Sequence, residues 1–97
     1  MAKAYWIAAY RSITNPTAVE AYAAKTGPLI RAAGGRILVR GIPSEVFEAE
    51  QTLRTVVIEF ESVAAATATY NDPAYQECVK LLTGAVERDI RIVEATG

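Results

Sequence analysis

Two helix-forming stretches each lie between two runs of extended-chain character, and this doubled order leaves the chain few folds. Residues 4–12, "AYWIAAYRS", carry aromatic and β-branched types and read as a first strand. Asn15 then offers an N-cap. Pro16 suits the first helical position, where a missing N–H costs nothing. Val19, Tyr22, Ala23, Thr26, Ile30 and Ala33 recur at helical spacing. Pro28 cannot donate to the Ala24 carbonyl, so a kink or restart is expected at Gly27-Pro28. Gly34 and Gly35 end the helix. The second strand is "RILVRG", 36–41, and "EVFEAEQ", 45–51, reads as a short extended piece or part of a hairpin. "RTVVIEFE", 54–61, is the third strand. Ser62 caps the short helix "VAAATATY", and Asn71-Asp72-Pro73 breaks it. Asp72 can cap a further piece with the apolar stripe Tyr75, Cys78, Val79 and Leu82. "DIRIVEA", 89–95, is the fourth strand.

The order is β-α-β followed by β-α-β. Such a pair of units makes a four-stranded antiparallel sheet with both helices on one face, an α+β, ferredoxin-like (βαββαβ) arrangement. With 97 residues the chain is expected to be a single domain, 1–97.

Two helices cover one face of the sheet, and the other should be polar if it meets water. It is mixed instead. Alternation puts Val56, Ile58 and Phe60 toward the helices and Thr55, Val57 and Glu59 away. It puts Ile37 and Val39 in and Arg36, Leu38 and Arg40 out; in the fourth strand Ile90 and Ile92 face in, Arg91 and Val93 out. The first strand is apolar on both sides, with Trp6, Ala8 and Tyr10 on one and Tyr5, Ile7 and Ala9 on the other. A mixed face suits a second copy of the same sheet, so a homodimer is expected. Arg36 and Arg40 then either pair with an acid such as Glu59 or hold an anionic ligand through two parallel hydrogen bonds.

Composition excludes several classes. The net charge is −1 with no basic run, and the third strand lacks the basic-Gly-aromatic pattern of RNA-binding modules, so no nucleic-acid partner is expected. The longest apolar run, "AYWIAAY", is too short to span a bilayer, and the start has no signal-peptide layout; the expectation is a cytoplasmic protein without a membrane partner. There is no histidine, which removes the commonest general base and metal ligand. Cys78 lies on an apolar helical stripe and reads as a buried, inert thiol. Glu45, Glu48, Glu50, Glu59 and Glu61 alternate between faces and do not converge as metal ligands. No phosphate-loop spacing is present, and neither metal nor cofactor is expected. Tyr70 and Tyr75 are expected to pack on the sheet with their hydroxyls at a rim.

"YWIAAY", "GGRILVRG", "RTVVIEFES" and "YNDPAYQ", in that order, resemble the domain of unknown function 1330 family over essentially the whole chain. The resemblance implies membership of the dimeric α/β-barrel superfamily, in which ferredoxin-like protomers pack sheet to sheet. Superfamily relatives include cofactor-independent oxygenases, lactone isomerases and haem enzymes, so the resemblance implies no single reaction. The sequence departs from the family pattern at Ile42, where a glycine is common, and at Leu81-Leu82, where an arginine often stands. Arg40 and Glu59 lie within matching motifs.

The functional expectation is a small organic molecule, an anionic one included, bound beside the sheet. Arg40, with Arg36 near it, would anchor the charge, Glu59 would orient the ligand or act as base, and Trp6 and Tyr10 would line the apolar part. Cofactor-free proton transfer or oxygenation is the chemistry such a site would allow. The alternative is a non-catalytic structural or interaction module that dimerises through its sheet, with Arg40 and Glu59 as an interface ion pair. A pocket inside the barrel and one between sheet and helices both remain open.

Overall fold

The computed structural model describes residues 2–49 and 53–97. Its elements are β1 (Ala4–Ile13), α1 (Pro16–Ala32), β2 (Arg36–Gly41), β3 (Arg54–Phe60), α2 (Val63–Asn71), α3 (Pro73–Val79), a 3-10 turn (Lys80–Leu82) and β4 (Val86–Glu94). The strands form one antiparallel sheet in the order β2-β3-β1-β4, the ferredoxin-like α+β fold. Caps fix the helix starts. The Asn15 side chain accepts from the Ala18 N–H, Ser62 from Ala65 and Asp72 from Ala74.

The core lies between the helices and one sheet face. In β1, residues Ala4, Trp6, Ala8 and Tyr10 are buried and their alternates half-buried. Across the ladders Trp6 pairs with Ile58 and Ile92, and Ala8 with Val56 and Ile90. These residues share the helix face. Trp6 is its centre, with ring centroids 6.0 Å from Phe60, 5.6 Å from Tyr70 and 5.3 Å from Tyr75.

The two glycines of "GGRILVRG" do different work. Gly34 takes φ 91°, and its N–H donates to the Arg31 carbonyl while Gly35 donates to Ile30 at 2.8 Å. This is a Schellman end to α1. Gly35 is needed for closeness: a Cβ there would lie 2.6 Å from Ile30 Cγ2 and 2.9 Å from the Phe60 ring.

Four details differ from the sequence reading. First, α1 runs through Gly27-Pro28 without interruption. The carbonyl that Pro28 leaves unbonded belongs to Ala24, which is exposed and can turn to water. Packing of Val19, Tyr22, Thr26 and Ile30 holds both halves. Second, β4 begins at Val86, because β1 extends to Ile13 and gives Val86, Glu87 and Arg88 partners. Third, residues 45–49 form no strand; Glu50 and Gln51 lie outside the described residues. Fourth, β2 carries a bulge between Ile37 and Val39. Ile37 pairs with Ile58, but Val39 pairs with Val57 and Arg40 with Val56. One extra residue therefore inverts the alternation: Val39 faces away from the helices and Arg40 toward them.

Candidate functional site

The bulge decides where chemistry can occur. Arg40 joins the helix face and lines a cleft between the sheet and α1, together with Tyr10, Tyr22, Arg54, Arg88 and the inner wall of Trp6. The cleft holds about 30 Å³, room for about two waters or a group of carboxylate size.

Three strands place its charges. Tyr10 on β1 stands opposite Arg54 on β3 and Arg88 on β4. The Arg54 guanidinium carbon lies 5.9 Å from the Tyr10 ring centroid and that of Arg88 5.5 Å; Arg88 is also 4.9 Å from the ring of Tyr22. Arg88 Nη1 donates to the hydroxyls of Tyr10 (3.0 Å) and Tyr22 (3.1 Å), and Nη2 reaches that of Tyr75 at 3.5 Å. The Tyr22 and Tyr75 hydroxyls bond each other. Among the described residues, Arg40, Arg54 and Arg88 have no ion-pair partner. Among the same residues, Arg54 Nε is buried with no hydrogen-bond acceptor. A buried unpaired donor on a charged group costs free energy unless an acceptor reaches it.

Burial pushes the phenols of Tyr75 and Tyr10 above their ordinary value of 10.0, against the pull of Arg88. Burial works to lower Arg88, but the facing Tyr22, Tyr10 and Tyr75 hydroxyls outweigh it and the net shift is upward, so the guanidinium stays charged. A phenol raised in the folded state stabilises the fold fully below the unfolded value near 10.0 and loses that contribution as pH climbs past it. Stability should therefore decline on the alkaline side of pH 10, and Tyr75→Phe should flatten that decline in urea unfolding. A Tyr75→Phe profile as steep as that of the wild type would contradict this.

The other candidates lie elsewhere. Glu59 is on the open face, where Lys3 Nζ approaches Oε1 at 3.3 Å and the Tyr5 hydroxyl donates to Oε2 at 3.2 Å. The Lys3 bond is the main reason its carboxyl is held below 4.5. Arg36 stands opposite Glu59 across β2 and β3. Arg40 and Glu59 are on opposite faces of the sheet, so within one protomer they form neither an ion pair nor an anchor-and-base pair. Trp6 and Tyr10 are core residues whose edges close the cleft. Tyr75 is buried and Tyr70 half-buried.

Sequence reasoning missed Arg54 and Arg88. Period-two alternation from Ile58 back through Val56 reaches Arg54, and from Ile92 through Ile90 reaches Arg88, so the signal was present. Chemically the cleft can hold an anion and stabilise negative charge on an oxygen. Among the described residues no carboxylate lines it, and no three His, Cys, Asp or Glu side chains gather as metal ligands. No helix among them is long and apolar enough to cross a membrane.

The fold is shared with solved structures. A protein of unknown function from Rhodopseudomonas palustris superposes with a TM-score of 0.76 at 21% identity, covering 99% of this chain and 84% of that one. A dimeric protein of unknown function and ferredoxin-like fold from Bacteroides fragilis gives 0.66 at 13%, covering 96% of each. SnoaB, a cofactor-independent oxygenase from Streptomyces nogalater, gives 0.72 at 10%, covering 100% of this chain and 96% of that one. No curated protein matches the chain in sequence. The sequence profile of the domain of unknown function DUF1330 matches residues 3–96. With the whole sheet and every helix inside that span, the chain belongs to the DUF1330 family.

Proposed function

We propose that the protein binds a small organic anion by its charged head group, which enters the cleft between sheet and α1. Arg40 and Arg54 hold the charge, and the Tyr10 hydroxyl, oriented by Arg88, contributes a further hydrogen bond. One observation carries this reading: Arg54 Nε is a buried donor with no acceptor among the described residues, and Arg54 lines a cleft bordered by three arginines and, among those residues, no carboxylate. Trp6 forms the apolar floor. The arrangement favours stabilisation of a carboxylate or enolate oxygen, chemistry that needs neither metal nor cofactor. That SnoaB, of the same fold, is a cofactor-independent oxygenase supports the reading without specifying a reaction.

Calorimetric titration with pyruvate, a small carboxylate, tests it. The wild type should bind, and Arg54→Met should bind at least about tenfold more weakly, the value of one charge-assisted hydrogen bond. Folding stability of Arg54→Met should stay within about 1 kcal/mol of the wild type, because the residue removed is a half-buried charge with no ion-pair partner among the described residues. Glu59→Gln, on the other face, should bind as the wild type does. Equal affinity in the wild type and Arg54→Met would refute the site.

The open face supports self-association as well. Val39 and Val93 are 48% and 51% exposed there, beside half-buried Ile7 and Val57. Arg36 and Glu59 fall on this face and fit its polar part. Structural neighbours from Bacteroides fragilis and Thermobifida fusca are dimeric. This face is also what a non-catalytic module would use. Sedimentation should show a dimer that Val57→Asp dissociates; a wild-type monomer would contradict it.

A further inference from the structure

Arg88 borders three openings, and two of them are lined by no acidic side chain among the described residues. On one side is the α1 cleft. On the other, between α2 and β4, lies a groove of about 370 Å³ lined by Thr67, Tyr70, Arg88, Ile90 and Ile92. Its size falls in the range of small-molecule sites, about 300–1,000 Å³. The α1 cleft is far smaller and accepts a head group at most.

The groove has a charged end and an apolar length. A guanidinium carries five N–H donors. Arg88 uses both on Nη1, for Tyr10 and Tyr22, and one on Nη2, for Tyr75. The Nε donor and the second Nη2 donor have no partner among the described residues. A carboxylate matches the planar fork of a guanidinium, and no acidic residue lines the groove to compete for it. The rest of the wall is the Tyr70 ring and the helix-facing side chains of Ile90 and Ile92. β4 is an edge strand, so the groove lies at the margin of the sheet.

We propose that this groove binds a monocarboxylate with a medium-length alkyl or aryl body. The head takes the two unspent donors of Arg88, and the body lies along Ile90, Ile92 and Tyr70. The site is separate from the Arg40–Arg54 cleft and goes beyond the reading given for it.

Octanoate is the probe, followed through Trp6, the protein's single tryptophan, which contacts Tyr70. Wild-type protein should bind octanoate saturably. 1-Octanol, which lacks the charge, and acetate, which lacks the body, should each bind at least about tenfold more weakly. Thr67 is exposed at the rim, so Thr67→Phe fills the groove without entering the core. It should lower octanoate affinity about tenfold or more, while pyruvate affinity stays unchanged. Arg54→Met should do the reverse. Undiminished octanoate binding in Thr67→Phe overturns the groove site, as does the absence of saturable binding in the wild type. Loss of octanoate in Arg54→Met overturns it too, and would move the carboxylate into the α1 cleft. Loss of pyruvate alone in that variant leaves the groove intact, so the two sites fail independently.

Discussion

Trp6→Ala should destabilise the fold by about 3–5 kcal/mol, the usual cost of emptying a buried large aromatic site. Trp6 is 2% exposed and in aromatic contact with Phe60, Tyr70 and Tyr75, which come from β3, α2 and α3. Collapse around the cavity is limited, because each of these rings is anchored on a different element. A domain of this size has about 5–15 kcal/mol in total, so the loss is a large fraction of it. At roughly 4–8 °C per kcal/mol, the midpoint of thermal unfolding should fall by tens of degrees. A fall of only a few degrees would show that Trp6 is a pocket wall and not the centre of the core.

Gly35→Ala should cost about 2–3 kcal/mol, near the top of the range for overpacking. The new methyl would meet Ile30 Cγ2 at 2.6 Å, Phe60 Cζ at 2.9 Å and the Ile30 carbonyl at 3.0 Å. The carbonyl is backbone and accepts the Gly35 N–H that closes α1, so it cannot yield cheaply. Relief must come from moving the start of β2 away from Phe60. That shift would carry Arg40 with it, so pyruvate affinity should fall along with stability. Gly34→Ala should differ in kind: nothing crowds a Cβ there, and the cost is the left-handed backbone alone. Denaturant unfolding and calorimetry on the two variants check both statements. A stable Gly35→Ala protein would refute the close packing.

The β-α-β doubling was readable because strand alternation, caps and breakers agree over most of the chain. "RTVVIEFE" puts Val56, Ile58 and Phe60 on one face, and Asn15, Ser62 and Asp72 stand where helices need them. The site was less legible, for one local reason. A bulge adds a residue without leaving a mark in composition: "RILVRG" holds no glycine or proline before Gly41 to betray it. Strict alternation therefore sent Arg40 to the face of Glu59, where an ion pair between them was one of the readings left open. Arg88 was missed because "VER" lacks strand-forming character apart from Val86 and becomes a strand through its pairing with the end of β1. Arg54 was passed over as the first residue of a strand. The positive character of the cleft arises from these three arginines together, brought in from β2, β3 and β4.

The arginine side-chain region of a ¹H–¹⁵N NMR spectrum tests the proposed anion site at Arg54 and Arg40 directly. Arg54 Nε–H is buried and has no partner among the described residues, so its signal should persist and lie apart from those of exposed arginines. Titration with pyruvate should shift it saturably, with the Arg40 signal following and that of Arg36, on the open face, unmoved. A titration that leaves Arg54 Nε–H in place while pyruvate is in excess would contradict the account.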